Sequence, residues 1–281
     1  MRTWGEARSA AILRLRGGAD PDTAALDADV LLAYALGVAK EALFAHPERP
    51  LSIEEDARFD ALVARRHEGE PVAYLRGWKE FYGLRFRVDP RVLIPRPETE
   101  TLVEEARRAI AGRAAVVVDV GTGSGAIACA IAVHEARVRV IGTDVSREAL
   151  AVAEINALSL GVADRVELRQ GDLLAPIRKP VDVVCANLPY LRDDALSELS
   201  GERTSLRYEP RRAVSAGEDG LDLIRRAVAD LGRVLGNGGT AFFECDPPQA
   251  PSVADLLRPL GVVRITDDLA GSARVVSLSR K

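Results

Sequence analysis

The spacing of apolar residues over positions 1–70 predicts helices and no strands. Helix-spaced apolar positions recur in three segments, which begin near Ala7, Asp20 and Ser52. The third segment opens with Ser52-Ile53-Glu54-Glu55, a capping-box pattern that is typical of a helix N-terminus. No combination of side chains here indicates chemistry, so we expect a small helical bundle over 1–70 that binds a macromolecular partner.

The next segment, 71–95, concentrates aromatic residues in a chain of which only 5% is aromatic. Short apolar stretches over 81–84 and 86–88 predict a β-hairpin that links two domains. Its aromatic side chains either pack at a domain boundary or contact a substrate, and the sequence alone leaves both interpretations open. These residues are Tyr74, Trp78, Phe81, Tyr82 and Phe86.

From residue 96 to residue 281, predicted strands alternate with predicted helices. Such alternation predicts an α/β fold, with a mostly parallel sheet covered by helices on both faces and a hairpin formed by the last two strands. Ligands of such sheets bind beyond the carboxyl ends of the strands. The strands are predicted at 116–120, 138–143, 165–169, 181–186, 240–244, 262–266 and 274–278, and the helices at 125–136, after Ser146 and at 220–235.

Length, net charge and the few cysteines and histidines disfavour several classes of function. A length of 281 residues suits one large domain and one small one, and no apolar run approaches the roughly 18 residues that a membrane span needs. The first residues lack an apolar signal region, so we expect no secretory signal and no membrane partner. The net charge of -4 argues against broad nucleic-acid binding. Three cysteines without Cys-x-x-Cys spacing indicate a cytoplasmic location, and three scattered histidines make a metal site unexpected.

A glycine-rich turn follows the first of these strands, in the sequence Asp119-Val120-Gly121-Thr122-Gly123-Ser124-Gly125-Ala126. Its three alternate glycines allow a tight turn from strand to helix and a close approach of the backbone to a ligand. The spacing also matches a dinucleotide-binding pattern, so a nicotinamide cofactor has to be considered beside other nucleotide-like ligands.

Carboxylates follow the next two predicted strands. Asp144 is placed to accept from both hydroxyls of a ribose, in a nicotinamide cofactor or in S-adenosylmethionine; alternatively, it belongs to the N-terminus of the helix that Ser146 caps. Asp172 is a candidate acceptor for the exocyclic amine of an adenine, with Leu173 packed on the base. An ordinary turn is the alternative interpretation of Asp172.

The end of the fourth strand distinguishes between these cofactors. It reads Asn187-Leu188-Pro189-Tyr190, in which the Asn187 side-chain oxygen and the Leu188 backbone carbonyl can accept from the two N–H groups of a planar nitrogen. Pro189 stiffens the turn, and the Tyr190 ring offers a flat face to the same plane. Hydride transfer does not need such a group, whereas methyl transfer to an amide or amino nitrogen depends on orientation. We therefore predict Asn187, Pro189 and Tyr190 as catalytic residues.

Together these motifs resemble those of the HemK-type release-factor glutamine methyltransferases, over nearly the whole chain. The resemblance implies a Rossmann-like, seven-stranded class I methyltransferase domain with a small N-terminal all-helical domain. It implies methylation, from S-adenosyl-L-methionine and without a metal, of the glutamine amide in the Gly-Gly-Gln motif of class 1 peptide chain release factors. Further matching segments are Pro71-Val72-Ala73-Tyr74-Leu75, Glu80-Phe81-Tyr82-Gly83, Leu93-Ile94-Pro95-Arg96-Pro97-Glu98-Thr99-Glu100, Arg207-Tyr208-Glu209-Pro210, Gly217-Glu218-Asp219-Gly220-Leu221 and Asp268-Leu269-Ala270-Gly271.

The same resemblance implies the residues of the site. The acceptor glutamine is expected at Asn187, Leu188, Pro189 and Tyr190. The methyl donor is expected at Gly121, Thr122, Gly123, Ser124, Gly125, Asp144, Asp172, Leu173 and Asn187.

Two segments depart from the family pattern. Leu188 stands where the family usually has the first proline of Asn-Pro-Pro-Tyr, and Glu244-Cys245-Asp246 replaces the usual Glu-x-Gly. The Leu188 form also resembles rRNA adenine dimethyltransferases, so an N6-adenine methyltransferase acting on rRNA or DNA is an alternative. A nicotinamide oxidoreductase and a non-catalytic adaptor that binds release factors are two others.

Overall fold

The computed structural model describes residues 1–192 and 206–281. They divide into two compact units, and the boundary after Trp78 falls within the segment 71–95 that the sequence indicates as a linker. The smaller unit holds residues 1–78 and 206–208, and the larger unit holds residues 79–192 and 209–281.

The smaller unit is helical, as the apolar spacing predicts. Ser52 and Glu55 form a complete capping box at the start of its longest helix, which confirms the N-terminus expected there. The buried guanidinium of Arg66 pairs with Asp20 and Asp27 and so connects the fourth helix to the second. The helices are α1 Trp4–Arg16, α2 Ala24–Leu36, α3 Lys40–Ala45, α4 Ile53–His67 and α5 Val72–Arg76.

A two-stranded hairpin follows, formed by β1 Trp78–Phe81 and β2 Leu84–Arg87. The hairpin is confirmed, but the strand positions predicted from the sequence were wrong, because their ends lie one to three residues too far along the chain. The turn is formed by Tyr82 and Gly83, with φ of 52° and 70°. Two positive φ values suit a type I′ turn. The sequence did not indicate this turn, because its first central position holds a tyrosine and not the usual Asn, Asp or Gly. The rings of Phe81 and Phe86 pack edge to face in the core of the larger unit, so they serve packing.

The larger unit is built on a seven-stranded sheet with the order β5-β4-β3-β6-β7-β9-β8. Its first five strands in this order are parallel, and β9 runs antiparallel to both β7 and β8. This confirms the mostly parallel sheet and the final hairpin that the sequence predicts. The strands are β3 Ala115–Val120, β4 Val138–Asp144, β5 Val166–Gln170, β6 Val181–Ala186, β7 Leu235–Glu244, β8 Gly261–Asp267 and β9 Ala273–Arg280.

Helices cover both faces of this sheet. Alternate residues of β3 and β6 enter two separate cores, since Val117 and Cys185 belong to one and Val118 and Val184 to the other. Two buried faces explain why these strands are mostly apolar, with a single aspartate in each, Asp119 in β3 and Asp182 in β6. The helices are α6 Thr99–Ile110, α7 Ala126–His134, α8 Arg147–Ser159, α9 Asp222–Val234 and α10 Ala250–Leu257.

Helix α6 was not predicted, although its apolar residues have helical spacing. Leu102, Val103, Ala106 and Ile110 follow helical spacing, and all four are fully buried. The short helices α3, α5 and α10 were also missed. Within residues 1–192 and 206–281, no helix is both long enough and apolar enough to span a membrane.

The strand order reverses between β3 and β6. These strands are neighbours, with Val120 opposite Ala186, but β4 follows β3 on its other side. In open α/β sheets, such a reversal leaves a crevice at the carboxyl ends of the strands, where ligands bind. The glycine-rich turn leaves β3 at this point and Asn187 follows β6, so the fold brings the two main sequence motifs together.

Candidate active site at the carboxyl ends of the parallel strands

The glycine-rich turn has the left-handed backbone that its composition predicts. Gly121, Gly123 and Gly125 have φ of 70°, 53° and 78°. A Cβ on Gly125 would lie 3.1 Å from the Cβ of Ala153 in α8, so glycine also permits the close approach of α7 and α8. The backbone N–H of Thr122 donates to the carbonyl of Thr143 over 2.8 Å, which fixes the turn against β4.

Asp119, the last residue but one of β3, is fully buried beneath this turn. Its Oδ2 accepts from the Thr122 hydroxyl at 2.6 Å and from the Ala128 backbone N–H at 3.2 Å. Its Oδ1 is buried and has no hydrogen-bond partner among the described residues. Burial raises the pKa of Asp119 to about 6. No role was predicted for Asp119, although its position two residues before Gly121 was an available signal.

Asp144 contacts both the start of α8 and the glycine-rich turn. Its Oδ1 accepts from the Ser146 backbone N–H at 2.9 Å, at the start of α8, and its Oδ2 accepts from the Gly123 N–H at 3.0 Å. The carboxylate therefore lies against the glycine-rich turn, which is the position expected of a residue that binds a ribose. A carboxylate has about four acceptor positions, so these two contacts leave capacity for two hydroxyl groups.

Asp172 and Leu173 follow β5 on the same edge of the sheet. The Asp172 carboxylate is exposed and forms an ion pair with Arg226 of α9. Leu173 has φ of 48°, and its carbonyl accepts from the Thr143 hydroxyl at 2.9 Å. This hydrogen bond holds the backbone of the segment against β4, whereas an adenine contact through the Asp172 side chain has to compete with Arg226.

Asn187 is held by a residue that the sequence analysis did not assign to the site. Its side-chain Nδ2 donates to Oγ1 of Thr99 over 2.9 Å. Thr99 is the first residue of α6 and is 3% exposed. Because the nitrogen of the Asn187 amide is used in this contact, the amide oxygen is the atom left to accept from a ligand.

The side chain of Leu188 points into the protein core. It is 3% exposed, and its Cδ2 lies 3.1 Å from the position that a Cβ on Gly121 would take. The Leu188 side chain therefore packs against the glycine-rich turn, and it belongs to the hydrophobic core beside β3 and β6. This placement agrees with a contribution to the site through the backbone alone.

The backbone after Leu188 is fixed by a second segment that matched the family. Gln249 Nε2 donates to the carbonyls of Tyr190 and Asp219, at 3.0 and 3.1 Å. Gly220 has φ of 74°, and a Cβ there would lie 2.1 Å from the Tyr190 carbonyl oxygen. A glycine is thus required in the segment 217–221 for the site loop to keep its position.

Glu244 ends β7 beneath this loop and is 1% exposed. Burial raises the pKa of Glu244 to about 7, although interactions with the Thr99 hydroxyl, Arg274 and the Tyr190 hydroxyl act to lower it. Its Oε2 is buried without a partner among the described residues. The sequence analysis noted this segment only because it lacks the family glycine.

Glu209 fixes the segment that leads into α6. Its side chain is fully buried, accepts from the Ile94 backbone N–H at 3.0 Å and forms an ion pair with Arg96. The two family-like segments that contain Arg96 and Glu209 are therefore joined through this carboxylate, and the N-terminus of α6 is held in place.

The three cysteines are buried, and burial raises the pKa of Cys129 and of Cys245 to about 12. Thiols with such pKa values stay protonated near neutral pH and act as small core residues. Among the described residues, no group of three or more His, Cys, Asp or Glu side chains is arranged to hold a metal ion.

The core position of Leu188 gives a prediction about stability. We expect Leu188→Ala to lower the free energy of unfolding by roughly 2–4 kcal/mol, because it leaves a cavity, and Leu188→Met to cost under about 1.5 kcal/mol. Urea unfolding followed by circular dichroism measures both. An alanine variant as stable as the unsubstituted protein would contradict the core assignment.

Comparisons with known proteins identify the two parts of the chain and the fold of the larger one. A family model described as PrmC N-terminal domain matches residues 6–77, and one described as methyltransferase domain matches residues 112–266. The solved structure of the hMettl16 catalytic domain, in complex with MAT2A 3'UTR hairpin 6, has a TM-score of 0.57 and 16% identity. The match covers 81% of each chain, so the two share a fold.

Two curated relatives are similar over almost their whole lengths. The release factor glutamine methyltransferase of Cereibacter sphaeroides is 40% identical over 274 residues, which are 97% of this chain and 96% of that protein. That of Rhodopirellula baltica is 39% identical over 265 residues, which are 91% of this chain and 89% of the relative. These similarities leave no support for a nicotinamide oxidoreductase, and the chain belongs to the release factor glutamine methyltransferase family.

Proposed function

We propose that this protein transfers a methyl group from S-adenosyl-L-methionine to the side-chain amide nitrogen of a glutamine in class 1 peptide chain release factors, within the Gly-Gly-Gln motif. The observation that carries this proposal is the orientation of Asn187. Its Nδ2 is hydrogen-bonded to Thr99. Oδ1 is therefore available to accept from an N–H group of the methyl-accepting amide, at the crevice between β3 and β6. The family relation supports the glutamine as the acceptor.

The residues around the glycine-rich turn fit S-adenosyl-L-methionine. The left-handed glycines bring backbone close to a ligand, and the unpartnered buried Oδ1 of Asp119 is suited to a cationic group. Thr122 and Ser124 are buried, so their contribution is through the backbone. When bound, this donor supplies an electrophilic methyl group on its sulfonium. We assign its binding to the residues Gly121, Thr122, Gly123, Ser124, Gly125, Asp144, Asp172, Leu173 and Asn187.

The residues proposed to bind the acceptor would act by orienting the glutamine amide. An amide nitrogen is a poor nucleophile because its lone pair is delocalised into the carbonyl group. Hydrogen bonds to Asn187 Oδ1 and to the Leu188 carbonyl would fix the direction of the nitrogen, and Pro189 and Tyr190 would confine the amide plane. Holding the reactants in line lowers the entropic part of the barrier. The N–CH3 bond would form as the S–CH3 bond breaks, which releases S-adenosylhomocysteine. A strong base is not required, because the alkylated nitrogen is acidic and loses its proton to water.

The helical unit has a separate role in this proposal. The residues that we assign to the donor and acceptor sites all lie outside it, and the match to a PrmC N-terminal domain at 6–77 covers almost all of residues 1–78. We assign it to recognition of the release factor. Because release factors act on ribosomes and the buried cysteines are reduced thiols, we place the reaction in the cytoplasm.

Asn187→Ala tests the acceptor site. We expect it to reduce methyl transfer to a release factor by roughly 100-fold or more, because the acceptor loses its orienting oxygen. The measurement is the initial rate with labelled S-adenosyl-L-methionine. Asn237→Ala, at an exposed position of β7, is the matched control and is expected to keep the full rate. Near-normal transfer by a folded Asn187→Ala protein would refute the role of Asn187.

Asp144→Ala tests the donor site. We expect it to weaken binding of S-adenosylhomocysteine by roughly 10- to 100-fold, as the loss of charge-assisted hydrogen bonds predicts. Isothermal calorimetry measures this, with the exposed Asp164→Ala as control. Equal affinities of the two variants would exclude a ribose contact by Asp144.

A further inference from the structure

Glu244 is a buried acid that the proposed chemistry does not use directly. It ends β7, and Ala186 of β6 lies opposite Phe243, so Glu244 reaches the level of the loop that carries Asn187. Its side chain is removed from solvent, yet Oε2 has no partner among the described residues. A buried carboxyl group with an unpaired oxygen costs stability, so a functional reason for its presence is expected.

Thr99 connects this acid to the candidate active site. A threonine hydroxyl has one hydrogen to donate and lone pairs to accept with. The lone pair of Thr99 Oγ1 accepts from Asn187 Nδ2 at 2.9 Å. Its hydrogen is then free to bond the Glu244 carboxyl group, with which it interacts. With the Thr99 hydrogen directed at Glu244, the donors would run in one direction, from Asn187 to Thr99 to Glu244.

That direction decides which end of the Asn187 amide faces the acceptor. The oxygen and nitrogen of an asparagine amide have nearly the same shape, so hydrogen-bond partners alone set its orientation. An ionised carboxylate can only accept, which forces the Thr99 hydroxyl to donate to it and to accept from Asn187. If Glu244 gained a proton, Thr99 could accept from Glu244 and donate to Asn187 Oδ1. The amide would then turn its N–H groups toward an acceptor that also carries N–H groups.

We propose that Glu244 is a positioning residue for methyl transfer, which acts through Thr99 to keep Asn187 Oδ1 directed at the acceptor amide. This inference rests on the proposed function and adds two residues to it. Neither Glu244 nor Thr99 is required to touch the substrate. The Tyr190 phenol also interacts with this carboxyl group.

The groups around Glu244 determine how it titrates. Burial disfavours its charged form and Glu98, before α6, adds repulsion, whereas Arg274 of β9 favours ionisation. The Arg274 guanidinium is shared with Asp268 at 3.1 Å. The balance raises the pKa of Glu244 to about 7, so the orienting form is lost as pH falls through neutrality. Other ionisable groups nearby are Tyr190, Cys245 and Asp246.

The test compares isosteric changes within one helix. Thr99→Val removes the hydroxyl and keeps the shape, and Thr101→Val makes the same change two residues along α6. At saturating S-adenosyl-L-methionine, we expect Thr99→Val to lower kcat for release factor methylation by roughly 10- to 100-fold, with Thr101→Val unchanged and Thr99→Ser restoring most of the rate. A Thr99→Val enzyme as fast as Thr101→Val would overturn the inference, although wild-type transfer would still uphold the proposed function.

The pH profile supplies a readout that a purely structural role would not change. We expect kcat of the wild-type protein to rise with pH through about 7, and this limb to be absent from Glu244→Gln. A limb that persists unchanged in Glu244→Gln would assign the titration to another group and overturn the inference. If wild-type protein methylates no release factor at any pH, the proposed function fails and the positioning role fails with it.

Discussion

The hydrogen bond from Asn187 Nδ2 to Thr99 Oγ1 is the contact on which the proposed acceptor site depends. It joins the end of a central strand to the first residue of a helix that packs on the sheet, so neither element can shift without turning the amide. An asparagine in a loop has little intrinsic preference for one orientation. Here the surrounding hydrogen bonds select one, and the selected orientation leaves an oxygen for a substrate N–H group.

The parallel sheet makes this contact possible by bringing distant segments to one edge. β3, β6 and β7 are neighbours, and their carboxyl ends present the glycine-rich turn, Asn187 and Glu244 in a row. Packing and hydrogen bonds fix the relative positions of these groups. Leu188 fills the space beside Gly121, and Gln249 and Gly220 fix the loop that follows Asn187 from the other side. The polar groups at this edge are accordingly surrounded by well-packed apolar side chains, where burial shifts the pKa values of Asp119 and Glu244 upward.

Much of this arrangement could be predicted from the sequence, because strand periodicity and glycine spacing are local signals. The seven strands, the turn at Gly121 and the strand-end position of Asn187 were all predictable in that way. Thr99 and Glu244 were not, since their roles arise from contacts over 88 residues along the chain and between neighbouring strands. The strand positions of the hairpin were mispredicted for a different reason. Tyr82 adopts a left-handed backbone conformation that is unusual for tyrosine, so the turn could not be located from the sequence. Asp172 was assigned to adenine, and only the structure shows Arg226 bound to it.

The identity of the acceptor atom tests the central claim most directly. The protein is incubated in one reaction with labelled S-adenosyl-L-methionine, a class 1 release factor and rRNA, and the label is located by mass spectrometry. The arrangement around Asn187, together with the family relation, predicts a single label on the side-chain nitrogen of the glutamine in the Gly-Gly-Gln motif. A label on N6 of adenine in the rRNA, with the release factor unmodified, would contradict it.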